Sequence, residues 1–212
     1  VADTEPIPQF VVPPPSAICS LLPRPLILTG FFRDILTRHF ISPQYIEMPD
    51  LRHLIWREDL QTGILIESRW RWRPQLTQKR PAILISRNAY QNQRMGLQDR
   101  HQPTRGDGGE GHFATAWIGS HTFFCIGGSG AQAELLASEV QRELTEFGSL
   151  IERGMSLLRF QVLEVGAIGE LEEATENYVV PVNVGYAFQE LWVLRQQAPT
   201  LKRISLSMIL DM

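Results

Sequence analysis

Along this chain the spacing of apolar residues changes period several times, and those changes mark out its elements. Gly30–Ile41 places Phe31, Phe32, Ile35, Leu36 and Phe40 at helical intervals, predicting a short helix ended by Ser42-Pro43. A briefer helical pattern begins near Asp50 and carries Leu51, Leu54 and Ile55. The period then falls to two. Ile64, Ile66, Ser68, Trp70 and Trp72 alternate with Leu65, Glu67, Arg69, Arg71 and Arg73, a predicted strand with one apolar and one largely charged face. Pro81–Arg87 predicts a shorter strand through Ile83, Leu84 and Ile85. From Asn88 to Gly111 the chain is polar and glycine-rich, a predicted loop longer than most connections in compact domains.

Phe113–Ile126 reads as a strand pair or one long bent strand, with a turn expected at Gly119-Ser120 and an end at Gly127-Gly128-Ser129-Gly130. Leu136, Val140, Leu144, Phe147 and Ile151 then form the apolar stripe of one long helix, with Gly154 expected as its C-cap. Leu157–Val165 and Asn177–Phe188 are predicted strands, and Pro181 argues for an edge position or a bulge in the second. The succession predicts an α/β domain. Seven of the fourteen prolines lie in the first 25 residues, among Phe10, Val11, Val12, Ile18, Leu21 and Leu22. Such a segment favours an extended, apolar arm lying along its own domain or a neighbouring subunit. The expected organisation is therefore an arm over 1–29, one domain over 30–201 with a basic loop near 88–111, and a tail over 202–212.

At 212 residues, with 43% apolar and 20% charged residues, the chain has an ordinary globular balance and enough length for a sizeable core. Cys19 and Cys125 stand in an arm and an apolar strand, which predicts two unpaired thiols and a reducing compartment. No apolar run approaches the roughly 20 residues of a membrane span, and the start is acidic, so a soluble protein without a signal peptide is expected. The net charge of −3 hides an asymmetry. Nine bases against Asp99 give +8 over Arg69–Arg105, and eleven Glu against three Arg give −8 over Glu134–Glu190. Two such fields suit self-association or a basic lining for nucleic acid, or else two solvated faces. Arg69, Arg71, Arg73, Arg94, Arg100 and Arg105 are the candidate interface or DNA-facing residues.

Candidate chemistry is sparse. Gly128-Ser129-Gly130-Ala131-Gln132-Ala133 fits the G-x-G-x-x-A dinucleotide fingerprint, with Glu164 as the ribose partner, but Glu164 comes far beyond the usual ~20-residue separation. A tight turn with Ser129 at a helix start explains it more simply. His39, His53, His101, His112 and His121 show no metal spacing, and no serine has a nucleophile-elbow context. Glu172, Glu173 and Glu176 read as a solvated turn. Ser68–Arg73 mixes bases with aromatics as single-strand binders do, yet strict alternation puts tryptophan in the core and arginine in solvent. No catalytic, cofactor or metal residues are expected, and no enzyme; a nucleotide-binding enzyme using the Gly128–Gly130 turn is the alternative.

Several stretches together carry a resemblance: Arg80–Arg87 leading into the basic loop, Gly119–Ile126 feeding the long helix, Leu158–Gly166, Glu172–Val182, and the close through Trp192-Val193-Leu194 to Ala198-Pro199. Over about Ile64–Leu201 the chain resembles neck and tail-terminator proteins of tailed bacteriophages. The resemblance implies a mixed, largely antiparallel sheet flanked by one long and one or two short helices. It implies subunits in a ring, a hexamer, that caps the tail tube and meets the head-side connector or stopper. Its partners would be further copies of itself, the tail tube protein, the connector and packaged DNA, in the virion and, during assembly, the host cytoplasm. A stopper or baseplate adaptor is the neighbouring possibility, and the proline-rich arm departs from the compact members.

Overall fold

The computed structural model describes residues 25–57, 63–71, 81–93, 100–102, 110–171 and 177–195. The chain divides into two compact units, Ser20–Gln93 with Ala116–Glu190, and Val1–Cys19 with Arg94–Thr115 and Leu191–Met212. In the smaller unit, Arg100 and Gln102 of a short strand pair with Phe113 and His112 across an irregular register. The rest of this section concerns the larger unit.

Its first helix, α1 (Pro25–His39), begins five residues before the expected start. Pro25 needs no N–H in the first turn, so proline opens this helix instead of extending the arm through residue 29. Leu28, Phe32 and Leu36 are completely buried, each contributing roughly 1.5–3 kcal/mol by leaving water. The pattern near Asp50 gives only a single 3-10 turn, Pro49–Leu51. Gly63, at φ +98°, lies so near the Ile55 carbonyl that a side chain there would collide with it.

In chain order the strands are β1 (Leu65–Ser68), β2 (Ala82–Arg87), β3 (Gln91–Gln93), β4 (Arg100–Gln102, the short strand of the smaller unit), β5 (Glu110–Gly127), β6 (Arg159–Val165), β7 (Gly169–Glu170) and β8 (Tyr178–Arg195). They form a mixed, mostly antiparallel sheet in the order β1-β2-β5-β8-β6. β1 and β2 are parallel, and β2 and β5 antiparallel. Trp117 reaches Glu190 and Thr122 reaches Asn183, so β5 and β8 also run antiparallel. With three helices, α1, α2 (Gly130–Glu146) and α3 (Gly148–Gly154), this is an α+β fold.

Alternation assigns the two faces. Ile83, Ile85, Phe123, Cys125, Val182 and Val184 meet the helices in the main core, while Ala82, Leu84 and Ile126 form a smaller cluster on the other face. Cys125 is a free, buried thiol whose pKa burial pushes up.

Several expectations need correcting. No turn interrupts β5 at Gly119-Ser120. Gly119 instead makes room for Tyr186, whose ring atoms would lie 2.7–2.8 Å from any Cβ. The loop over 88–111 contains β3 and β4, both paired with β5. The long helix breaks at Phe147, which leaves that ring 41% exposed and turns Ile151 into the core. Gly154 closes α3 in helical conformation, and the left-handed residue is Ser156 at φ 52°. β8 is interior. Pro181 is accommodated because β8's partner changes there from β6 to β7, with Gly166 N donating to the Pro181 carbonyl at 2.7 Å.

Candidate functional site

Among the described residues, several exposed basic and aromatic groups lie together at the C-terminal ends of β1 and β2. β1 stops at Ser68, not at Arg73: Arg69 N still donates to the Ile85 carbonyl, but Arg71 N turns back to that of Ser68. This turn takes Trp70 off the pleat and leaves it 61% exposed, so the expectation of a buried tryptophan fails at this position. Arg87 ends β2, and its guanidinium lies 5.6 Å from the ring centroids of both Trp70 and Tyr90. Tyr90 packs edge-on against Trp117, whose indole N–H donates to Glu190 at 3.0 Å. Arg69 stacks over Phe124 at 4.8 Å. Arg71 borders a groove of about 460 Å³ between this turn and α1, lined also by Leu26, Arg33 and Trp70.

Beneath this corner lies a buried polar pair. His121, opposite Arg87 in the β2–β5 register, is fully buried and its Nε2 is 2.8 Å from Thr29 Oγ1. The Thr29 hydroxyl already donates to the Pro25 carbonyl, so Nε2 must carry the proton and donate. Burial, with the Arg87 charge, lowers the His121 pKa to about 4, so the ring is neutral and Nδ1 is a bare acceptor. Among the described residues neither Nδ1 nor the Tyr186 hydroxyl has a hydrogen-bond partner, and the two rings are 5.4 Å apart. Burial raises the Tyr186 pKa to about 12.

A second buried cluster clamps α1 to α2. His39 places Nε2 2.8 Å from Glu139 and Nδ1 2.8 Å from Glu143. Burial opposes the charge on the ring, but two carboxylate hydrogen bonds and their field outweigh it and raise its pKa to about 9. Glu139 also accepts from Glu47 N, Met48 N and Arg142. Burial works against its ionisation too, yet His39, the backbone donor and Arg142 hold it at about 2. This charge is committed to holding layers together.

Of the candidate arginines among the described residues, Arg69 and Arg71 reach this corner. Arg100 lies in β4, and Arg73, Arg94 and Arg105 lie outside the described residues, as do Glu172, Glu173, Glu176 and Cys19. Arg87 and Tyr90 escaped the sequence reading because it is the parallel β1–β2 register that carries Arg87, and Tyr90 just after it, to Trp70. At the Gly128 turn, Ser129 caps α2 by accepting from Gln132 N at 3.2 Å, and the Gln132 side chain accepts from Gly128 N at 3.0 Å. Two donors that an anion at this helix start would use are thus engaged. Among the described residues no cluster of three or more His, Cys, Asp or Glu could hold a metal ion, and no helix is long and apolar enough to cross a membrane. No family model matches this chain, and no curated protein matches it.

Proposed function

We propose that the chain is a structural virion protein of a tailed-phage neck. It acts as a tail terminator whose copies close into a ring that caps the tail tube and joins it to the head-side connector. The observation that carries this reading is a mixed sheet with helices on one face and, among the described residues, two different strands, β1 and β6, at the ends of its strand order. A protein with different edges at opposite ends can join head to tail, and such contacts close into a ring when the rotation allows. The hydrogen-bonding groups of the buried histidines are largely committed to Thr29, Glu139 and Glu143, which leaves the exposed surfaces to do the work. Further copies, the tube protein and the connector are the partners, and the virion is the location.

Light scattering on the purified full chain, with negative-stain images, tests the reading. A discrete ring is expected, and the same ring at the neck of the particle. A species that stays monomeric at every concentration, with no ring in particle images, would refute it.

A further inference from the structure

Resting on the ring reading, we infer which surfaces join: the Trp70 corner of one copy docks on the β6 edge of the next. The two surfaces lie at opposite ends of the sheet order and differ in chemistry. The first offers Trp70, 61% exposed, flanked by exposed Arg71 and Arg87. The second is a groove of about 500 Å³ between β6 and the α2–α3 junction, with Leu144, Phe160 and Val162 in its walls. Leu163 and Val165, 54% and 42% exposed, stand on its rim beside Glu164, whose hydrogen bond from Asn183 is long at 3.5 Å.

Trp70 fits this groove as an aromatic anchor, and Glu164 meets the arginine forks at its edge. Buried Trp with flanking Arg is the composition of interface hot spots. Arg159, exposed at the other end of β6, is the cation this arrangement must leave aside, and Glu67 beside β1 is already faced by Arg33 at 3.6 Å. A second copy suits the corner better than nucleic acid does. The Arg87 guanidinium, 5.6 Å from the Trp70 and Tyr90 centroids, takes up part of the ring surface that base stacking would use. A guanidinium held on aromatic faces keeps its N–H edge for a carboxylate.

Trp70→Ala and Glu164→Arg test this on the full chain, with melting curves to check that each exposed substitution leaves the fold intact. Each is expected to weaken ring formation roughly 30-fold or more. Mixed one to one, they should form a dimer and stop. The Trp70→Ala copy keeps a working groove and the Glu164→Arg copy a working anchor, so one sound contact remains. Rings of normal size from Trp70→Ala would overturn the inference and leave the ring reading standing. So would a mixture that stays monomeric, or intact Trp70→Ala rings that have lost affinity for oligothymidylate. A wild-type chain that never forms a ring removes both.

Discussion

Replacing His39 with alanine removes the residue that joins α1 to α2, and its cost should depend on pH in one direction. His39 is 5% exposed and held between Glu139 and Glu143 at 2.8 Å each. A pKa raised from 6.5 to about 9 corresponds to roughly 3 kcal/mol of preference for the charged ring in the fold. A folded pKa above the unfolded one gives stability that is complete below pH 6.5 and lost as pH rises through 9. Of that, more than ~2 kcal/mol remains at pH 7 and less than ~1 kcal/mol at pH 9. The low Glu139 pKa, about 2, is the same contact seen from the carboxylate, so the two are not added. Losing ~3 kcal/mol from a chain this long lowers Tm by roughly 6–12 °C. Urea titrations of wild type and His39→Ala from pH 6 to 10 should show a gap that narrows steadily, ending on the cavity cost alone. His39→Gln, which keeps N–H donors on a single nitrogen but carries no titrating charge, should fall between them with little pH dependence. A gap that stays constant over this range, or a His39 imidazole that titrates near 6.5 by NMR, would refute the reasoning.

Two further outcomes are expected. Protonating His121 must overcome its burial, so its contribution is present above pH 6.5 and lost as pH falls through about 4; His121→Phe should flatten the acid limb of the stability profile between those values, and an unchanged limb would count against the neutral assignment. Gly119→Ala drives a methyl to within 2.7–2.8 Å of the Tyr186 ring and should cost roughly 1–3 kcal/mol by denaturant titration, with partial recovery in the double variant carrying Tyr186→Leu.

How far the sequence could be read depended on whether local spacing or distant contact decided each element. The core strands were legible because Ile83–Ile85 and the alternate residues of β8 are buried by their own periodicity. The cap at Ser129 was legible from its place before an amphipathic run. The fold class followed, since the strand–helix–strand succession restricts the architectures available. The misreadings share one cause. Gly119 looked like a turn because a glycine's local meaning is flexibility, whereas here it yields to Tyr186, 67 residues away. Trp70 looked buried because alternation says which face a residue takes and not where its partner strand ends. The exposed corner was legible in composition, as bases mixed with aromatics, but its membership was not: Arg87 and Tyr90 join Trp70 only through strand register. Nor does spacing reveal that His39 meets Glu139 a hundred residues later.

The proposed contact places a particular demand on the sheet between its two surfaces. In a ring joined through Trp70 and the β6 groove, the angle between successive copies is set by how rigidly one copy holds those ends apart. The helix-free face supplies that rigidity. Asn88, just past β2, donates to Ser120 and Thr122, and Thr122 donates to Asn183 at 2.7 Å, a polar chain crossing from β5 to β8. Backbone pairing alone tolerates slippage, whereas specific side-chain bonds fix one register. A slip of one residue would break every link in that chain and turn Phe123 and Val184 out of the core. In the proposed ring, the polar residues of this face would act as spacers that hold the separation between anchor and groove, and with it the curvature.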